Sequence, residues 1–291
     1  MPAYPEWDRA VRPPVPLPPQ QACDCQAHIF GDVRTYPTQP DAAYVPPAAS
    51  FTDLCGVERT LGFTRFVIVH STVYGPDHRV TIDALASLKD RSHIRAIGRV
   101  SDITGDAEIE RLHALGFRGT RFAFRNDQPR TGWDAILRTA ARVRGLGWHL
   151  RLHFRDPIHE NAERLKALKD IPVVVDHLGY PDPALGADDP NCRFIVDRLK
   201  HDPNWWVMLS NGNRLSTMDA GWDDAVPIAR AYIEAAPDRL IWGSDWPHVQ
   251  WRKPRMMNDG EVVELLYRYV DNDPALLRNI LVDNPARLHG F

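Results

Sequence analysis

Two short segments, far apart in the chain, carry residue types suited to acid–base chemistry. The first is Asp24-Cys25-Gln26-Ala27-His28, and the second is Gly243-Ser244-Asp245-Trp246-Pro247-His248. Each stands at the end of an apolar run that reads as a β-strand. Carboxylates and imidazoles are common proton-transfer groups in enzymes. If the first and last strands are neighbours, Gln26, His28 and Asp245 face one another, and we expect a site between them.

Polar side chains also stand at the ends of most other apolar runs. In a parallel barrel the carboxyl ends of all strands meet at one mouth, where active sites lie. One histidine at a strand end is usually structural, but repetition around the mouth indicates a site. The residues concerned are His28, His70, Arg121, His153, His177, Ser210 with Arg214, and Asp245 with His248.

Short apolar runs alternate with helix-like segments along most of the chain. Runs such as 65–70 and 172–175 are nearly continuous in apolar residues, as in parallel strands covered on both faces. About eight such strand–helix units favour a closed barrel over an open sheet. No Gly-x-Gly-x-x-Gly follows the first run, which argues against a dinucleotide fold. We therefore predict an α/β protein with a single (β/α)8 TIM-barrel domain.

The first 20 residues differ from the rest in their density of proline, at positions 13, 14, 16, 18 and 19. Proline neither pairs inside a sheet nor continues a helix. We expect an extended arm over residues 1–20 and a barrel over residues 21–291. The arm would lie over the barrel or over a neighbouring subunit, which leaves a homo-oligomer open.

Composition narrows the class of partner. The net charge is −3, so the chain has no excess of positive charge to attract nucleic acid or an anionic membrane surface. It contains no run of roughly 18 apolar residues and no basic-then-apolar leader. The four cysteines include no Cys-x-x-Cys pair, which is typical of reduced thiols. We expect a cytoplasmic protein that acts on a small molecule.

The same residues bear on metal binding. Several imidazoles and one carboxylate could hold a divalent ion. However, the first strand offers Gln26 before His28 where two histidines would be the usual pair, and a neutral amide is a poor transition-metal ligand. Residues 121–124 supply no Glu or Lys to bridge. We predict no metal and no cofactor; the alternative is a weak single-metal site from His28, His177 and Asp245.

Taken together, these motifs resemble the amidohydrolase superfamily, in its branch of small-barrel lactonases. The matching segments are Asp24-x-x-x-His28, Asp176-His177-Leu178-Gly179, residues 243–248 and Asn284-Pro285-Ala286-Arg287-Leu288. The resemblance covers the chain after the proline-rich arm. Gln26 departs from metal-dependent members, which have His there. The chain is similar instead to members that act on dicarboxylate lactones without an ion.

The resemblance implies an isomerase that converts a sugar-diacid lactone, galactaro δ-lactone, to its γ-lactone by intramolecular acyl transfer. Asp245 would be the base, and His28 and His177 would polarise the carbonyl. Arginine binds carboxylate in a two-pronged fork, so Arg121, Arg125 and Arg214 are candidates for a substrate carboxylate. The remaining candidates for substrate contact are Gln26, His70, Tyr74, His153 and His248, the last two also as acids for the leaving oxygen.

Three other functions remain open from the sequence. The first is hydrolysis of a dicarboxylate lactone, with Asp245 activating water instead of a substrate hydroxyl. The second is a decarboxylase, which the absence of a first-strand histidine pair disfavours. The third is a sugar-acid binding protein without activity. Asp245 argues against this last function, because an unpaired carboxylate in a dry cavity is costly.

Overall fold

The computed structural model describes residues 4–124, 132–155 and 157–291. Its centre is one sheet of eight parallel strands whose spatial order is their order in the chain. Each strand pairs in parallel with the next one along the chain. Most strand residues are buried, whichever face of the sheet they occupy. The strands are β1 Cys23–Ala27, β2 Arg65–Val69, β3 Ile94–Gly98, β4 Phe117–Phe124, β5 His149–Phe154, β6 Val173–Val175, β7 Trp205–Leu209 and β8 Leu240–Trp242.

The sheet closes on itself where β1 meets the segment after β8. The Asp245 amide donates to the Gln26 carbonyl at 2.8 Å, and the His28 amide donates to the Trp246 carbonyl at 2.8 Å. Ala27 and Trp246 form a parallel bridge between these segments. The predicted (β/α)8 barrel is thereby confirmed, and the two segments that carry Gln26, His28 and Asp245 are neighbours.

Helices follow the strands and cover the outside of the barrel. After β5 the chain forms a 3-10 turn over Ile158–Asn161 followed by a single helical turn. The short helix after β7 was not predicted. No helix in the described ranges has the length and apolarity to cross a bilayer. The α-helices are α1 Phe51–Leu61, α2 Arg79–Ala86, α3 Asp106–Ala114, α4 Trp133–Val143, α5 Ala162–Leu165, α6 Pro190–His201, α7 Gly212–Leu215, α8 Val226–Ala235, α9 Asp259–Tyr269, α10 Pro274–Arg278 and α11 Asn284–His289.

The described part of the proline-rich arm, residues 4–20, contains no helix or strand and lies against α9. Arg12 forms a two-pronged ion pair with Glu264, with N–O distances of 2.7 and 2.8 Å. The Tyr267 hydroxyl donates to the Pro16 carbonyl at 2.8 Å. The Trp7 ring packs edge-on against Trp246 at 5.0 Å between centroids. The arm is therefore attached to the segment that follows β8.

Gly243 is the point of closest approach at the β1–β8 closure, and it generates the first prediction. A Cβ at this position would lie 2.3 Å from the Cβ and 2.6 Å from the backbone nitrogen of Gln26. Because backbone has to move to relieve that overlap, we expect Gly243→Ala to lower the free energy of unfolding by about 3 kcal/mol or more. Chemical denaturation measures the effect.

The matched control is Gly56→Ala within α1, where an added Cβ meets nothing within 4 Å. Alanine is the better helix former, so this variant should gain about 0.5–1 kcal/mol. Equal stability of the two variants would contradict the close approach at the closure.

Candidate active site

A cavity opens at the carboxyl ends of the strands. The space between its walls, with the solvent at its opening included, is about 470 Å³. Every strand-end segment except that of β3 contributes side chains to it. Polar groups dominate the lining, which consists of His28, Tyr44, Ser71, Thr72, Arg121, Ala123, His153, Arg155, His177, Tyr180, Asn211, Arg214, Asp245, Val249 and Gln250.

Asp245 follows β8 and presents a carboxylate to the cavity. Its Oδ1 accepts from the Gln26 amide at 3.1 Å, and its Oδ2 accepts from the Asn211 amide at 3.0 Å. Arg214 lies 3.7 Å from Oδ2. Burial alone would raise the pKa of Asp245, but His177, His28 and Arg214 hold this pKa well below its ordinary value. Asp245 is therefore ionised and available as a proton acceptor.

The orientation of Gln26 follows from Arg151. Arginine only donates hydrogen bonds, and Nη2 of the fully buried Arg151 donates to Gln26 Oε1. The amide NH2 of Gln26 must then face the other way, toward Asp245 and toward His28 Nε2 at 3.2 Å. His28 Nδ1 donates to the Val69 carbonyl at 2.6 Å, and its Nε2 lies between the Gln26 amide nitrogen and Asp245 Oδ1, 3.4 Å from the latter. Gln26 therefore supports the cavity from behind and does not line it.

Beneath the cavity lies a buried ion triad of two guanidiniums and one carboxylate. Asp176 Oδ2 accepts from Arg121 Nε at 2.7 Å, and Oδ1 accepts from Arg151 Nε at 2.8 Å. Burial would raise the pKa of Asp176, but Arg151 and Arg121 hold it at about 2. Burial would likewise lower the pKa of Arg121, yet Asp176 and Asp245 raise it. The triad is ionised throughout the ordinary pH range.

Arg121 also determines the tautomers of two histidines. Its Nη2 lies 2.9 Å from His153 Nδ1 and 3.1 Å from His177 Nε2, so both of these nitrogens must accept. The other ring nitrogen of His177, Nδ1, lies 2.8 Å from the Ser210 hydroxyl and 3.0 Å from the Asn211 amide nitrogen. Burial, opposed by Asp245 and Asp176 and assisted by Arg121, lowers the pKa of His177 to about 3. His177 is neutral at neutral pH.

The backbone at the mouth is left-handed at five cavity residues, Tyr180 and Gln250 among them, and the other three stand just after strands. His177, Asn211 and Asp245 have φ values of 56°, 61° and 63°. They follow β6, β7 and β8 in turn. Non-glycine residues in this left-handed region cost on the order of 1 kcal/mol or more, and such residues concentrate at functional sites. Asn, Asp and His tolerate this conformation better than most residues, which agrees with the residue types found after the three strands.

The structure brings together most of the predicted site residues. His28, Arg121, His153, His177, Arg214 and Asp245 all line the cavity. Arg121 was expected to form a fork with a substrate carboxylate, but its Nε and Nη2 are already bonded within the protein. Arg125 lies outside the described residues.

Three predicted substrate contacts are directed away from the cavity, and this corrects the sequence analysis. His70 Nδ1 lies 3.1 Å from the Thr81 hydroxyl on α2, and burial with nearby cations lowers its pKa well below the ordinary value. The Tyr74 hydroxyl accepts from the Gly31 amide at 3.2 Å. His248 Nε2 lies 2.7 Å from Asp259 on α9. A position after a strand does not fix the direction of the side chain.

Other cavity residues were missed by the sequence analysis. Asn211 stands directly after β7 and next to Ser210, which the sequence analysis had named, so its position was a usable signal. His149, Arg151 and His153 occupy every second position of β5, and all three are buried. Side chains two residues apart lie on the same face of a strand, so this spacing indicated a row of polar side chains inside the barrel. Tyr180 and Arg155 lie in loops, and no sequence pattern pointed to them.

The residues do not fit a metal ion as they are arranged. Within the described ranges, one group has ligand atoms within 4.8 Å of one another, namely His153, Asp176 and His177. All three of these side chains are hydrogen-bonded to Arg121. His28 Nε2 lies 3.2 Å from the Gln26 amide nitrogen and 3.4 Å from Asp245 Oδ1. Groups of the protein therefore engage the ligand atoms that a metal would require.

Comparison with known proteins places this geometry in a family. The amidohydrolase family model matches residues 23–291. The chain is 36% identical over 276 residues to a 4-sulfomuconolactone hydrolase of Hydrogenophaga intermedia, covering 94% of this chain and 89% of that protein. It is 33% identical over 298 residues to a 2-pyrone-4,6-dicarboxylate hydrolase of Comamonas testosteroni, covering 99% and 96%. It is 24% identical over 281 residues to a D-galactarolactone isomerase of Agrobacterium fabrum, covering 94% and 93%.

The family model covers the barrel from the start of β1 to the end of the chain. The matches to the relatives extend over nearly the whole chain and over nearly the whole of each relative. The motifs that suggested the superfamily from sequence lie within the matched range. The chain belongs to the amidohydrolase family.

Proposed function

We propose that this chain hydrolyses the ester bond of a small cyclic lactone that carries acidic groups. One observation carries the proposal: an ionised carboxylate, Asp245, lines the same cavity as a fixed guanidinium, Arg121. Ester hydrolysis needs a base for water and a positive charge for the developing oxyanion. The two side chains supply both requirements.

Hydrolysis is placed ahead of the isomerisation expected from sequence. The relatives at 36% and 33% identity are named as lactone or pyrone hydrolases, whereas the relative named as an isomerase is 24% identical. Both reactions use the same kinds of residue, because they differ only in whether water or a substrate hydroxyl attacks the carbonyl. The relatives therefore support the hydrolase, and the cavity is compatible with either reaction.

The proposed reaction is a two-step acyl transfer to water. Asp245 takes a proton from water as the water oxygen bonds to the ring carbonyl carbon, and the carbonyl π electrons move onto oxygen. The Arg121 guanidinium stabilises that oxyanion. The oxyanion then re-forms the carbonyl, the bond to the ring oxygen breaks with its electron pair, and Asp245 returns the proton to that oxygen. The product is an open acid, with one water consumed.

Arg121 has a donor available for this role. It donates within the protein through Nε and Nη2, and no described residue accepts from Nη1. Among the described residues, Nη1 of Arg121 is not sealed inside the protein. Because Arg121 lines the cavity, this nitrogen can be reached from it. A donor fixed before the substrate arrives needs no reorganisation during the reaction.

Two further arginines at the rim favour a substrate with acidic groups. The Arg214 guanidinium lies over the Trp251 ring at 5.5 Å and reaches the cavity beside Asp245. Arg155 lies over the Tyr180 ring at 5.5 Å and forms no ion pair with any residue in the described ranges. Guanidiniums recognise carboxylate and sulfonate oxygens by paired hydrogen bonds. The Arg155 guanidinium is therefore available at the rim to bind an acidic group of the substrate.

Incubation in H2¹⁸O distinguishes hydrolysis from isomerisation. With 2-pyrone-4,6-dicarboxylate or galactaro δ-lactone as substrate, we expect an open acid that carries one ¹⁸O in its new carboxylate, detected by mass spectrometry. An isomerase would instead release an unlabelled γ-lactone. Asp245→Asn keeps the shape of the side chain and removes the base, so turnover should fall by about 10²–10⁴. Unlabelled γ-lactone as the first product would replace the hydrolase with the isomerase.

The hydrogen bond from Gln26 to Asp245 generates a prediction about pH. Gln26→Glu places a second carboxylate 3.1 Å from Asp245 Oδ1, and like charges raise a carboxyl pKa. Because the reaction needs ionised Asp245, kcat/KM of the variant should fall on the acid side at a higher pH than in the unchanged protein. The measurement is kcat/KM from about pH 4 to about pH 9.

The control for that prediction is Gln26→Met, which removes the amide donor without adding charge. It should lower kcat/KM across the range and move the acid limb less than Gln26→Glu does. The unchanged protein should lose no activity at the acid end of this range, because the pKa of Asp245 lies well below its ordinary value. Absence of an acid limb in Gln26→Glu as well would contradict the prediction.

Arg155 generates a prediction about substrate charge. Arg155→Gln removes a rim cation that has no partner among the described residues, so KM for a dianionic lactone should rise about tenfold, equivalent to about 1.4 kcal/mol, with kcat little changed. Arg118→Gln is the matched control, since its guanidinium bonds only to the carbonyls of His113 and Phe117 at the far end of β4. Equal KM values for the two variants would remove Arg155 from substrate binding.

A further inference from the structure

The centre of the cavity floor has the composition of a metal site. His153, Asp176 and His177 are buried, and their ligand atoms lie within 4.8 Å of one another. Two imidazole nitrogens and one carboxylate oxygen, with an open position for water, form a common protein site for Zn²⁺. The arrangement of these three side chains therefore raises the question of what cation they hold.

The cation that these three side chains hold is the guanidinium of Arg121, as its hydrogen bonds show. Its Nε lies 2.7 Å from Asp176 Oδ2, and its Nη2 lies 2.9 Å from His153 Nδ1 and 3.1 Å from His177 Nε2. A guanidinium has no acceptor atom, so each of these nitrogens presents its lone pair to it. One cationic group thus engages all three side chains that would otherwise bind an ion.

Gln26 completes the exclusion on the other side of the mouth. Arg151 holds the Gln26 oxygen, and the Gln26 amide nitrogen faces His28 Nε2 at 3.2 Å. The same His28 nitrogen lies 3.4 Å from Asp245 Oδ1, so it too is engaged by groups of the protein. A metal ion could enter only if both the amide and the guanidinium withdrew.

We infer that the Arg121 guanidinium occupies a latent divalent-cation site formed by His153, Asp176 and His177, and that truncating this one side chain exposes the site. The inference concerns charge as well as space. Asp176 is paired with both Arg121 and Arg151, and removing Arg121 leaves the cavity short of one positive charge. A divalent ion satisfies the vacated acceptors and restores positive charge at the same place.

The inference also has a consequence for the role of Arg121 in catalysis. This one point rests on the proposed hydrolysis. A metal at this position would polarise the substrate carbonyl. The guanidinium supplies positive charge from the same place through Nη1, without exchanging with solvent ions. Catalysis should then continue unchanged in the presence of a chelator.

The test measures Zn²⁺ binding by the full chain after chelator treatment, with Zn²⁺ alone as the probe. Three variants are compared with the unchanged protein: Arg121→Ala, Arg121→Ala combined with His177→Ala, and Arg118→Ala. We expect about one equivalent of Zn²⁺ in Arg121→Ala beyond the amount bound by the unchanged protein and by Arg118→Ala. The double variant should lose that equivalent. Co²⁺ in place of Zn²⁺ gives an absorption band that reports nitrogen and oxygen ligation.

Guanidinium ion provides a second measurement on the same variant. Guanidinium chloride at low millimolar concentration should compete with Zn²⁺ for Arg121→Ala and raise its thermal midpoint, with no such effect on Arg118→Ala. If Arg121→Ala folds poorly alone, refolding with Zn²⁺ should restore it and refolding with Mg²⁺ should not, since Mg²⁺ prefers oxygen ligands.

Three outcomes would overturn the inference. One is a stoichiometric Zn²⁺ site in the unchanged protein that His177→Ala removes. Another is a folded Arg121→Ala that binds no more Zn²⁺ than the Arg118→Ala control. The third is a poorly folding Arg121→Ala that Zn²⁺ does not restore. None of these readouts depends on turnover, so failure of the proposed lactone hydrolysis would leave the metal result intact, and the converse also holds.

Discussion

The site depends on one buried carboxylate, Asp176, which is shared by two guanidiniums from neighbouring strands. Arg121 on β4 and Arg151 on β5 approach its two oxygens at 2.7 and 2.5 Å, and all three side chains are almost completely excluded from solvent. A buried ion pair of this kind contributes little net stability, because desolvation offsets much of the attraction. Its contribution here is to fix the orientation of the two guanidiniums. With Asp176 at the centre, each guanidinium has one fixed orientation and its remaining N–H groups point to defined partners.

Those fixed N–H groups determine the chemistry of the cavity. Arg151 holds the oxygen of Gln26, which turns the amide nitrogen toward Asp245 and His28. Arg121 holds one nitrogen each of His153 and His177 as acceptors. Apart from Arg121 Nη1, these donors are directed at defined acceptors within the protein. Among these groups Asp245 is the ionised carboxylate whose oxygens are held by neutral amides, and it is the group free to take a proton.

The sequence predicted the fold well and the site in part, for different physical reasons. The barrel follows from repetition, since eight apolar runs with helices between them have few ways to pack in this length. His28, His177 and Asp245 were identified because they stand where parallel strands end. His70, Tyr74 and His248 also follow strands, but α2, a loop amide and α9 supply their partners. The direction of a side chain after a strand depends on such neighbours, which strand spacing does not determine.

Arg121 shows the same limit more clearly. From sequence its guanidinium was assigned to a substrate carboxylate, whereas most of its donors are directed at the protein itself. That difference could not be seen without Asp176, His153 and His177 in place around it, because these residues are 32 to 56 positions away in the chain. The choice between hydrolysis and isomerisation has a related origin. The attacking oxygen belongs to water or to the substrate and to no residue of the chain, so a cavity with one base and one fixed cation serves both reactions. What separates them is whether a second oxygen nucleophile can reach the carbonyl beside Asp245, and the bound substrate decides that.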